Sequence, residues 1–494
     1  MIRKNNSYQD LEDLSNHYVI LGSGLSAIAA IHGIIDSCRD DSKKIFVIDA
    51  GITRDNDFAL KPRIETNKIP SPKFKIDDNR YVYESFKSLL NLTEDGFDAV
   101  GSLAKGGLSN IWGATIQPYT KRELSQFPYS YQGIGRIYSK IYRILTDSAR
   151  DFGEEKRSSN DSDEFVLDDP LLAINVRNGG GRSCHLNSCA NGCIYCNKNV
   201  FNSANELDDL MKSKKVEYMP DLFVKSVDHQ QGQYTIKCTQ ISSKKCIDIK
   251  ASTVYSCLGA ISTSKVVLEM SKKDAQVPLL TTPGGAFFMF SFKNFHKKNH
   301  QILSSQLFRG NLNNNSFEGN IFPFSENLVM TYFGEKLGTV VHGIFGSLVF
   351  SRLFIANIYF SSDLSSSSVV RRNNEIKITA MITSDLRLAF KKTIKVIKRR
   401  LFLKGLFVLP IGAKLLFPGH DIHYGGSIPM RKNPRENQCN LDGELHGFDK
   451  FYVTDSASMP FLASKGHSFN SMVNAYYVSS KSIGDKDRPG ITAL

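Results

Sequence analysis

Several features of membrane, secreted and repetitive proteins are missing from this sequence of 494 residues. It has no internal repeat and no heptad array, which argues against a solenoid or a coiled coil. The most apolar segment, Val340 to Phe360, is interrupted by polar residues and by Arg352, and an arginine inside a bilayer is costly. We therefore expect a core helix that runs into a strand there. No apolar stretch precedes the first strand, so we expect no signal peptide and a cytoplasmic location.

Acidic residues are fewer than basic ones, with 49 Asp and Glu against 62 Lys and Arg and a net charge of +13. This balance favours acidic partners such as anionic glycans, nucleotide-linked substrates or membrane surfaces. No aromatic interleaving accompanies the charge, so we do not expect nucleic-acid binding. The run after Asp385 predicts an amphipathic helix with seven Lys or Arg from Lys391 to Lys404. Its basic face is expected to be solvated, or to contact an anionic membrane or acidic glycan. Its apolar residues are Leu386, Leu388, Phe390, Ile394 and Ile397.

The length, with 41% hydrophobic and 22% charged residues, predicts a globular chain of two domains. Residues 17–51 show the pattern of a strand, a glycine turn, a helix and a strand, which is one βαβ unit. Short apolar runs in VEYMPDLFVKSVDH and ASTVYSCLGA predict more strands of a parallel sheet, the second followed by a helix. Residues 286–419 alternate apolar and polar residues, which is typical of antiparallel strands with one solvated face. The Asn-rich stretch Asn311 to Asn315 predicts a mobile surface loop.

The turn Gly22-Ser23-Gly24-Leu25-Ser26-Ala27 lies between the first predicted strand and helix, the context in which such a motif binds a dinucleotide. Gly22 permits the tight turn, Gly24 lets the backbone approach a pyrophosphate, and Ala27 lets the helix pack on the strand. The helix N-terminus favours the phosphate charge. Asp49, at the end of the second strand, is placed to accept hydrogen bonds from ribose hydroxyls. The motif alone does not separate FAD from NAD.

Three further stretches resemble signatures of the glucose-methanol-choline (GMC) oxidoreductases. The stretch Gly106-Gly107-Leu108-Ser109-Asn110-Ile111-Trp112-Gly113 resembles the family's flavin-contacting segment, and residues 259–271 resemble its second signature, with Lys272 in place of a closing glycine. The stretch from His423 to His467 resembles its C-terminal signature. The resemblance implies an α/β fold with a discontinuous Rossmann-type FAD-binding domain at 15–125, 198–285 and 420–494. A cysteine-rich connecting segment at 126–197 and an α+β substrate-binding domain with an antiparallel sheet at 286–419 would complete the chain.

The resemblance also implies which residues surround FAD. Small residues in the segment from Gly106 would let backbone amides reach the flavin ring. Asp455, with Ser456 as cap, is expected to start a C-terminal helix whose amides face the cofactor. The expected cofactor-binding residues are Gly22, Gly24, Ser26, Ala27, Asp49, Gly106, Gly107, Ser109, Asn110, Trp112, Val224, Asp455 and Ser456.

His423 is the expected catalytic base. A histidine titrates near neutrality and can remove a hydroxyl proton as hydride leaves the carbon, and the family resemblance places the active-site base here. His467 is the expected partner, which would orient the hydroxyl or stabilise the developing alkoxide. With one gap, Gly466 or Ser468 would take the position of His467, and Asn470 could then supply the polar group.

The four cysteines Cys184, Cys189, Cys193 and Cys196 fall within thirteen residues. In a cytosolic chain such a cluster indicates metal or redox chemistry before disulfides. An iron–sulfur cluster is the first expectation; tetrahedral zinc and metal-free thiols or disulfides are the alternatives. Bacterial GMC glucose dehydrogenases are similar in carrying a cysteine-rich hinge with an iron–sulfur cluster. An iron–sulfur cluster here would make the enzyme a dehydrogenase.

We expect an FAD-dependent dehydrogenase that oxidises the CH–OH group of an alcohol such as a sugar or polyol. Electrons would pass to an acceptor other than oxygen, possible partners being an electron-acceptor protein and a peripheral membrane contact. Two other hypotheses stay open: a flavoprotein of the lyase type without net redox chemistry, and a cofactor-bound interaction protein.

Overall fold

The computed structural model describes residues 13–53, 80–127, 133–153, 165–174, 200–292, 306–323, 352–373, 375–409 and 413–484. The helices within these ranges are α1 (Leu25–Ser37), α2 (Arg80–Leu90), α3 (Lys121–Leu124), α4 (Ile134–Thr146), α5 (Ser203–Met211), α6 (Ala260–Ser271), α7 (Ser384–Phe402) and α8 (Ser468–Gly484). The strands are β1 (Tyr18–Leu21), β2 (Ile45–Ile48), β3 (Leu92–Asp95), β4 (Val166–Asp168), β5 (Val216–Met219), β6 (Leu222–Gln230), β7 (Gln233–Gln240), β8 (Cys246–Ala251), β9 (Val254–Ser256), β10 (Ala275–Thr281), β11 (Gly284–Ser291), β12 (Gln306–Leu312), β13 (Asn315–Pro323), β14 (Leu353–Phe360), β15 (Ser367–Arg372), β16 (Glu375–Thr379), β17 (Leu406–Val408), β18 (Lys414–Leu415), β19 (Tyr424–Gly425) and β20 (Phe451–Val453).

A five-stranded sheet has the order β20-β9-β1-β2-β5, and all its neighbouring strands are parallel. Strands β2, β9 and β20 are buried at every position, as expected of parallel strands covered on both faces. The predicted βαβ unit is confirmed as β1, α1 and β2. The strands predicted from VEYM and from STVYS are confirmed as β5 and β9, and the predicted helix after β9 is α6. The run LFVKSVDH, which was also predicted for the parallel sheet, instead forms β6 of an antiparallel sheet, so that part of the prediction was wrong.

The C-terminal helix α8 packs along α1 and so brings both ends of the described chain to one place. A Cβ atom at Gly33 of α1 would collide with Ser479 and Tyr476 of α8, so the two helices approach closely because Gly33 has no side chain. Near the N-terminal ends of both helices, Ser26 Oγ lies 3.0 Å from Ser471 Oγ. Residues that precede α8 are thereby held beside the glycine turn after β1.

A larger sheet is antiparallel and has the order β17-β11-β14-β13-β12-β4, with β18 also paired to β11. Helix α7 supplies one wall of its core, because its apolar residues at helical spacing are buried against the sheet. Each large apolar side chain buried in this way contributes about 2 kcal/mol. The buried apolar side chains of α7 are Leu386, Ala389, Phe390, Ile394, Ile397 and Leu401.

Two of the sheets, the mixed sheet and the seven-stranded sheet, join segments that were predicted to belong to different domains. Strands β6, β7 and β8 form an antiparallel sheet, and a mixed sheet has the order β19-β10-β15-β16-β3. In the mixed sheet β3, from the predicted FAD-binding segment 15–125, pairs in parallel with β16 from the predicted substrate-binding segment. Strand β4 lies in the predicted connecting segment but forms an edge of the seven-stranded sheet. The boundaries themselves stay a prediction.

The α/β class and the antiparallel sheet are confirmed, whereas two further local predictions were wrong. The stretch Asn311 to Asn315 is a tight β12–β13 turn, in which Asn313 and Asn314 have φ of 51° and 66°. Asparagine tolerates this left-handed conformation and suits a two-residue hairpin turn. Leu388 lies exposed on the solvent side of α7. The helix predicted to start at Val340 lies outside the described residues, although β14 confirms the strand after it. No helix in the described ranges is long and apolar enough to cross a membrane.

Candidate functional site

A cavity of about 490 Å³ lies where the carboxyl ends of the parallel strands face the seven-stranded sheet. Its walls include residues that directly follow β1, β2, β9 and β20, together with parts of β11, β13 and β14. In open parallel sheets this edge is where ligands bind. Eleven of the thirteen predicted cofactor-binding residues line the cavity: Gly22, Gly24, Ser26, Asp49, Gly107, Ser109, Asn110, Trp112, Val224, Asp455 and Ser456.

The turn after β1 has the two properties that an anion site needs. Gly22 has φ of +94°, and a Cβ there would lie 2.7 Å from Cys257 O, so only glycine fits. At Gly24 a Cβ would meet nothing within 4 Å, which leaves the first turn of α1 open to the cavity. No side chain caps this helix, and its first turn has no acidic residue. The free N–H groups therefore favour a negative group of a ligand. Ala27 does not line the cavity but is fully buried, as expected for a packing residue.

Asp49 follows β2 and joins two parts of the site. Its Oδ2 accepts hydrogen bonds from Ser23 Oγ at 2.5 Å and from Tyr218 Oη at 3.0 Å. Burial raises the pKa of Asp49 to about 7, although these two hydrogen bonds act in the opposite direction. Ser23 Oγ also accepts from Gly106 N at 2.8 Å. Ser23, which the sequence analysis passed over as the middle residue of the motif, thus connects three chain segments.

The segment from Gly106 forms a 3₁₀ turn, Gly107–Asn110, that lies over the first glycine turn. A Cβ at Gly107 would lie 3.4 Å from Gly24 Cα, so the two turns face each other closely. Gly106 does not line the cavity: a Cβ there would lie 2.7 Å from Ala204 N, so its glycine serves packing against α5. Ser109 Oγ accepts from Ser203 N at 3.0 Å, so its side chain points to α5 as well.

Asn110 and Trp112 also use their side-chain polar groups within the protein. Asn110 Oδ1 accepts from Asn202 Nδ2 at 2.9 Å, and Trp112 Nε1 donates to Phe201 O at 3.0 Å. What both residues present to the cavity is backbone and ring surface. Backbone amides that reach the flavin ring were predicted here, but the N–H groups of Gly106, Gly107 and Ser109 donate to Ser23 Oγ, Ala104 O and Gly106 O within the protein.

Asp455 does not start the long C-terminal helix, which begins at Ser468. It caps a single 3₁₀ turn, Ser456–Ser458, through a hydrogen bond from Ala457 N to Oδ1 at 2.8 Å. Its Oδ2 accepts from Gly259 N at 2.8 Å and from Thr263 Oγ1 at 2.5 Å. Burial raises the pKa of Asp455 to about 6 against these hydrogen bonds. The carboxylate therefore fixes the turn at the start of α6, and Ser456 Oγ is occupied by Tyr424 O.

His423 lies in the cavity wall just before β19. Its Nδ1 is 2.6 Å from Thr282 Oγ1, and its ring centroid is 4.8 Å from that of Tyr359. Burial, and then the charge that His467 would carry, lower the pKa of His423 to about 3. The ring is therefore neutral near pH 7 and can accept a proton.

His467 lies opposite, with its ring centroid 5.4 Å from that of His423. Its Nδ1 is buried and has no hydrogen-bond partner among the described residues. Burial lowers the pKa of His467 to about 4, so this ring too is neutral. Asn470, the alternative polar residue, points elsewhere: its Oδ1 accepts from Tyr138 Oη at 2.5 Å and its Nδ2 donates to Gln117 O at 2.9 Å.

Three polar residues on β13 and β14 were not predicted: Asn320, Asn357 and Tyr359. Asn357 Nδ2 donates to Tyr359 Oη at 2.9 Å, and Asn357 Oδ1 accepts from Asn320 N at 3.0 Å. Asn320 is 7% exposed, lines the cavity, and its Oδ1 is buried without a partner in the described structure. No sequence signal marked these residues, because they lie on ordinary alternating strands.

Solved structures with this arrangement of elements cover nearly the whole chain. Pyridoxine 4-oxidase from Mesorbium loti aligns with a TM-score of 0.57 and 11% identity over 94% of this chain and 98% of its own. Two variants of formate oxidase from Aspergillus oryzae RIB40, made to study FAD modification, give TM-scores of 0.62 and 0.61 with 11% and 12% identity. They cover 96% and 95% of this chain and 99% of their own. The chain shares the fold of these two oxidases. No protein-family model and no curated protein matches the sequence.

The buried carboxyl of Asp421 fixes the loop that carries His423. Asp421 Oδ2 accepts from Thr282 N at 2.9 Å, and burial raises the pKa of Asp421 to about 8. The next residue, Ile422, has φ of +57°, a conformation that β-branched residues rarely adopt. Thr282 therefore orients His423 through its hydroxyl and anchors Asp421 through its backbone. Sequence reasoning had no signal for this threonine.

The cysteine cluster Cys184, Cys189, Cys193 and Cys196 lies outside the described residues. In the described part of the chain no group of three or more His, Cys, Asp or Glu could hold a metal ion. The iron–sulfur, zinc and thiol alternatives therefore stay predictions.

Proposed function

We propose that this chain is an FAD-dependent oxidoreductase of the GMC family that acts on the CH–OH group of an alcohol. One observation carries the proposal: two buried, neutral histidines share a cavity with an open helix N-terminus and a carboxylate in the positions typical of a dinucleotide site. Proton acceptors and a dinucleotide site in one cavity are what alcohol oxidation at FAD requires.

The described residues fit FAD. Helix α1 begins at the cavity without a side-chain cap and without an acidic residue in its first turn, whereas the Asp455 carboxylate already accepts from Gly259 N at the start of α6. At Gly24 and Gly259 a Cβ would meet nothing within 4 Å, so space is open at both turns. Asp49 would hold ribose hydroxyls, whose hydrogen bonds would favour its ionised form over the partly neutral form that burial imposes. The turn Gly107–Asn110 would lie against the flavin ring.

FAD supplies the acceptor for the hydride that leaves the alcohol carbon. His423 Nε2 takes the hydroxyl proton. For this, Nδ1 must carry the ring hydrogen and donate it to Thr282 Oγ1, which lies at 2.6 Å. The depressed pKa of His423 keeps Nε2 unprotonated at neutral pH. Thr282 thereby fixes both the tautomer and the orientation of the base.

His467 would bind the same hydroxyl. Its Nδ1 is an orphan in the described structure, and a buried nitrogen without a partner costs free energy that a bound hydroxyl would recover. The ring centroids are 5.4 Å apart, and we propose that the substrate hydroxyl binds between the two rings.

We further propose that the substrate is a sugar or polyol. Asn320 lines the cavity, and its amide oxygen is buried without a partner in the described structure. A hydroxyl can donate to the oxygen or accept from the amide, so it satisfies either amide orientation. A substrate with a second hydroxyl would therefore contact Asn320 while its first hydroxyl lies at His423.

The electron acceptor is proposed to be other than oxygen, with electrons leaving through an iron–sulfur cluster at Cys184, Cys189, Cys193 and Cys196. Zinc or free thiols there are the alternatives. The two enzymes with the shared fold are named as oxidases, so oxygen is the competing acceptor. A cytoplasmic location and an electron-acceptor protein belong to the same proposal.

The visible spectrum of the purified protein tests the function. We expect flavin absorption bands that bleach when a polyol is added without oxygen, and oxygen uptake that stays low in air. Folded protein without flavin bands would reject the proposal. Bands that no alcohol bleaches would favour the lyase type or the cofactor-bound interaction protein, and rapid oxygen uptake would make it an oxidase.

A further inference from the structure

Apolar side chains are exposed together where α7 ends and β17 begins. Phe402 and Leu403 are 57% and 71% exposed, and Phe407 on the edge strand β17 is 36% exposed. Phe292, 57% exposed, lies against Phe407 with ring centroids 6.3 Å apart. We call these four residues the apolar tip. Single exposed apolar residues are ordinary, but a contiguous patch marks an interaction surface.

Cations surround the apolar tip, and they have no acidic partners among the described residues. Lys395, Lys398 and Arg399 line the same shallow recess as Phe402, Leu403 and Phe407. No Asp or Glu occurs from Leu386 to His420, a stretch with nine Lys or Arg. None of the seven cations between Lys391 and Lys404 makes an ion pair with another described residue. The negative end of the helix dipole stabilises the positive charges of Arg399 and Arg400, which lie in the last turn of α7. It does not explain the other five cations.

The apolar tip is remote from the cavity. Strand β11 contributes Ala286 to the cavity wall at one end and leads to Phe292 at the other. Six residues of extended chain span about 20 Å. A partner that contacts the tip would therefore lie about 20 Å from this part of the cavity wall.

We propose that the apolar tip and its cations dock this protein on an anionic lipid bilayer. Positive charge draws the surface to anionic headgroups, and aromatic and aliphatic side chains then insert at the boundary with the acyl chains. An RNA or an acidic glycan would use the cations but not four exposed apolar side chains. The inference does not depend on the proposed function.

Co-sedimentation with lipid vesicles tests this surface. The full-length protein should bind vesicles containing phosphatidylglycerol and should not bind pure phosphatidylcholine. The triple substitution Lys395→Gln, Lys398→Gln and Arg399→Gln should lower the partition coefficient by roughly a hundredfold. The matched triple Lys225→Gln, Lys244→Gln and Lys245→Gln removes as much charge from β6 and the β7–β8 turn and should change it by less than about threefold.

The apolar part is tested by Phe402→Ser with Leu403→Ser, which should weaken binding by more than about tenfold, whereas the exposed Met381→Ser should not. Because these side chains are exposed, all variants should keep the wild-type melting temperature. Equal losses in the two triple variants would overturn the proposal, as would binding to heparin but not to vesicles. Dimer formation that the apolar double variant abolishes, without vesicle binding, would identify a second copy as the occupant instead.

Discussion

His423 and His467 meet edge-on in the cavity, with ring planes at 88° and centroids 5.4 Å apart. They are 44 positions apart in sequence, and different elements hold them: His423 precedes β19, and His467 precedes α8. The two rings differ in the hydrogen bonds that their Nδ1 atoms make. Thr282 holds Nδ1 of His423, while Nδ1 of His467 lacks a partner in the described structure. This asymmetry supports the assignment of His423 as the base and His467 as a hydroxyl ligand.

Replacing the base should stop turnover without removing the cofactor. The substitution His423→Ala is expected to lower kcat by on the order of a thousandfold, since general-base catalysis contributes factors of that size. The flavin absorption should persist, because the glycine turns and Asp49 are unchanged. The exposed His446→Ala is the control. Steady-state kinetics with unchanged turnover in His423→Ala would contradict the assignment.

The two buried histidines should make the protein less stable in acid. Their pKa values are lowered to about 3 and about 4, so unfolding lets both rings bind protons as the pH falls below 6.5. Each then lowers the free energy of unfolding by up to about 1.4 kcal/mol per pH unit. The raised pKa of Asp421 acts with the opposite sign, so variants rather than absolute values are compared. Melting temperatures from pH 7 to pH 5 should fall less steeply in His423→Gln with His467→Gln than in wild type. An unchanged slope would refute this.

Two glycines of the same turn should respond differently to alanine. Gly22→Ala places a Cβ 2.7 Å from Cys257 O at φ of +94°, and should destabilise the fold by about 1–3 kcal/mol. Gly24→Ala meets open space and an ordinary φ of −73°, so stability should hold. Its methyl group would nevertheless occupy space that the pyrophosphate needs, so FAD content should fall. Urea unfolding and flavin absorbance separate the two effects, and full FAD content in Gly24→Ala would argue against phosphate binding there.

Asn320 should matter for polyols and not for simple alcohols. The substitution Asn320→Ala removes the orphan amide, so KM should rise about tenfold for substrates with a second hydroxyl, equivalent to one lost hydrogen bond of about 1.4 kcal/mol. With a monohydric alcohol KM should change little, because no partner is lost. A uniform rise for both classes would show that Asn320 has only a structural role.

The motif residues were predictable because each has a local cause. A positive φ at Gly22 and an open helix N-terminus leave a glycine pattern in the sequence, and Asp49 stands at a fixed position after its strand. The partners of these residues were not predictable. Thr282 contacts His423, which is 141 positions away in the sequence, because β10 pairs with β19. Asn320 lies on an ordinary strand, and its position depends on the pairing of β13 with β14. Asp455 lines the cavity, but the helix it was expected to start begins thirteen residues later, at Ser468.

Lys465, two residues before His467, forms ion pairs with Glu123 and Glu318 from two other parts of the chain. Its Nζ lies 3.0 Å from Glu123 and 3.6 Å from Glu318, and all three side chains are buried or nearly so. Burial raises the pKa of Glu318, and the charge of Lys465 acts in the opposite direction. Lys465→Met should destabilise the protein by about 3–5 kcal/mol, because two carboxylates lose their partner. Adding Glu318→Gln should restore part of the loss, since one buried charge is then gone. The exposed pair of Lys212 with Asp209 supplies the control: Lys212→Met should leave urea unfolding unchanged. If Lys465→Met also leaves it unchanged, the network does not hold these segments together.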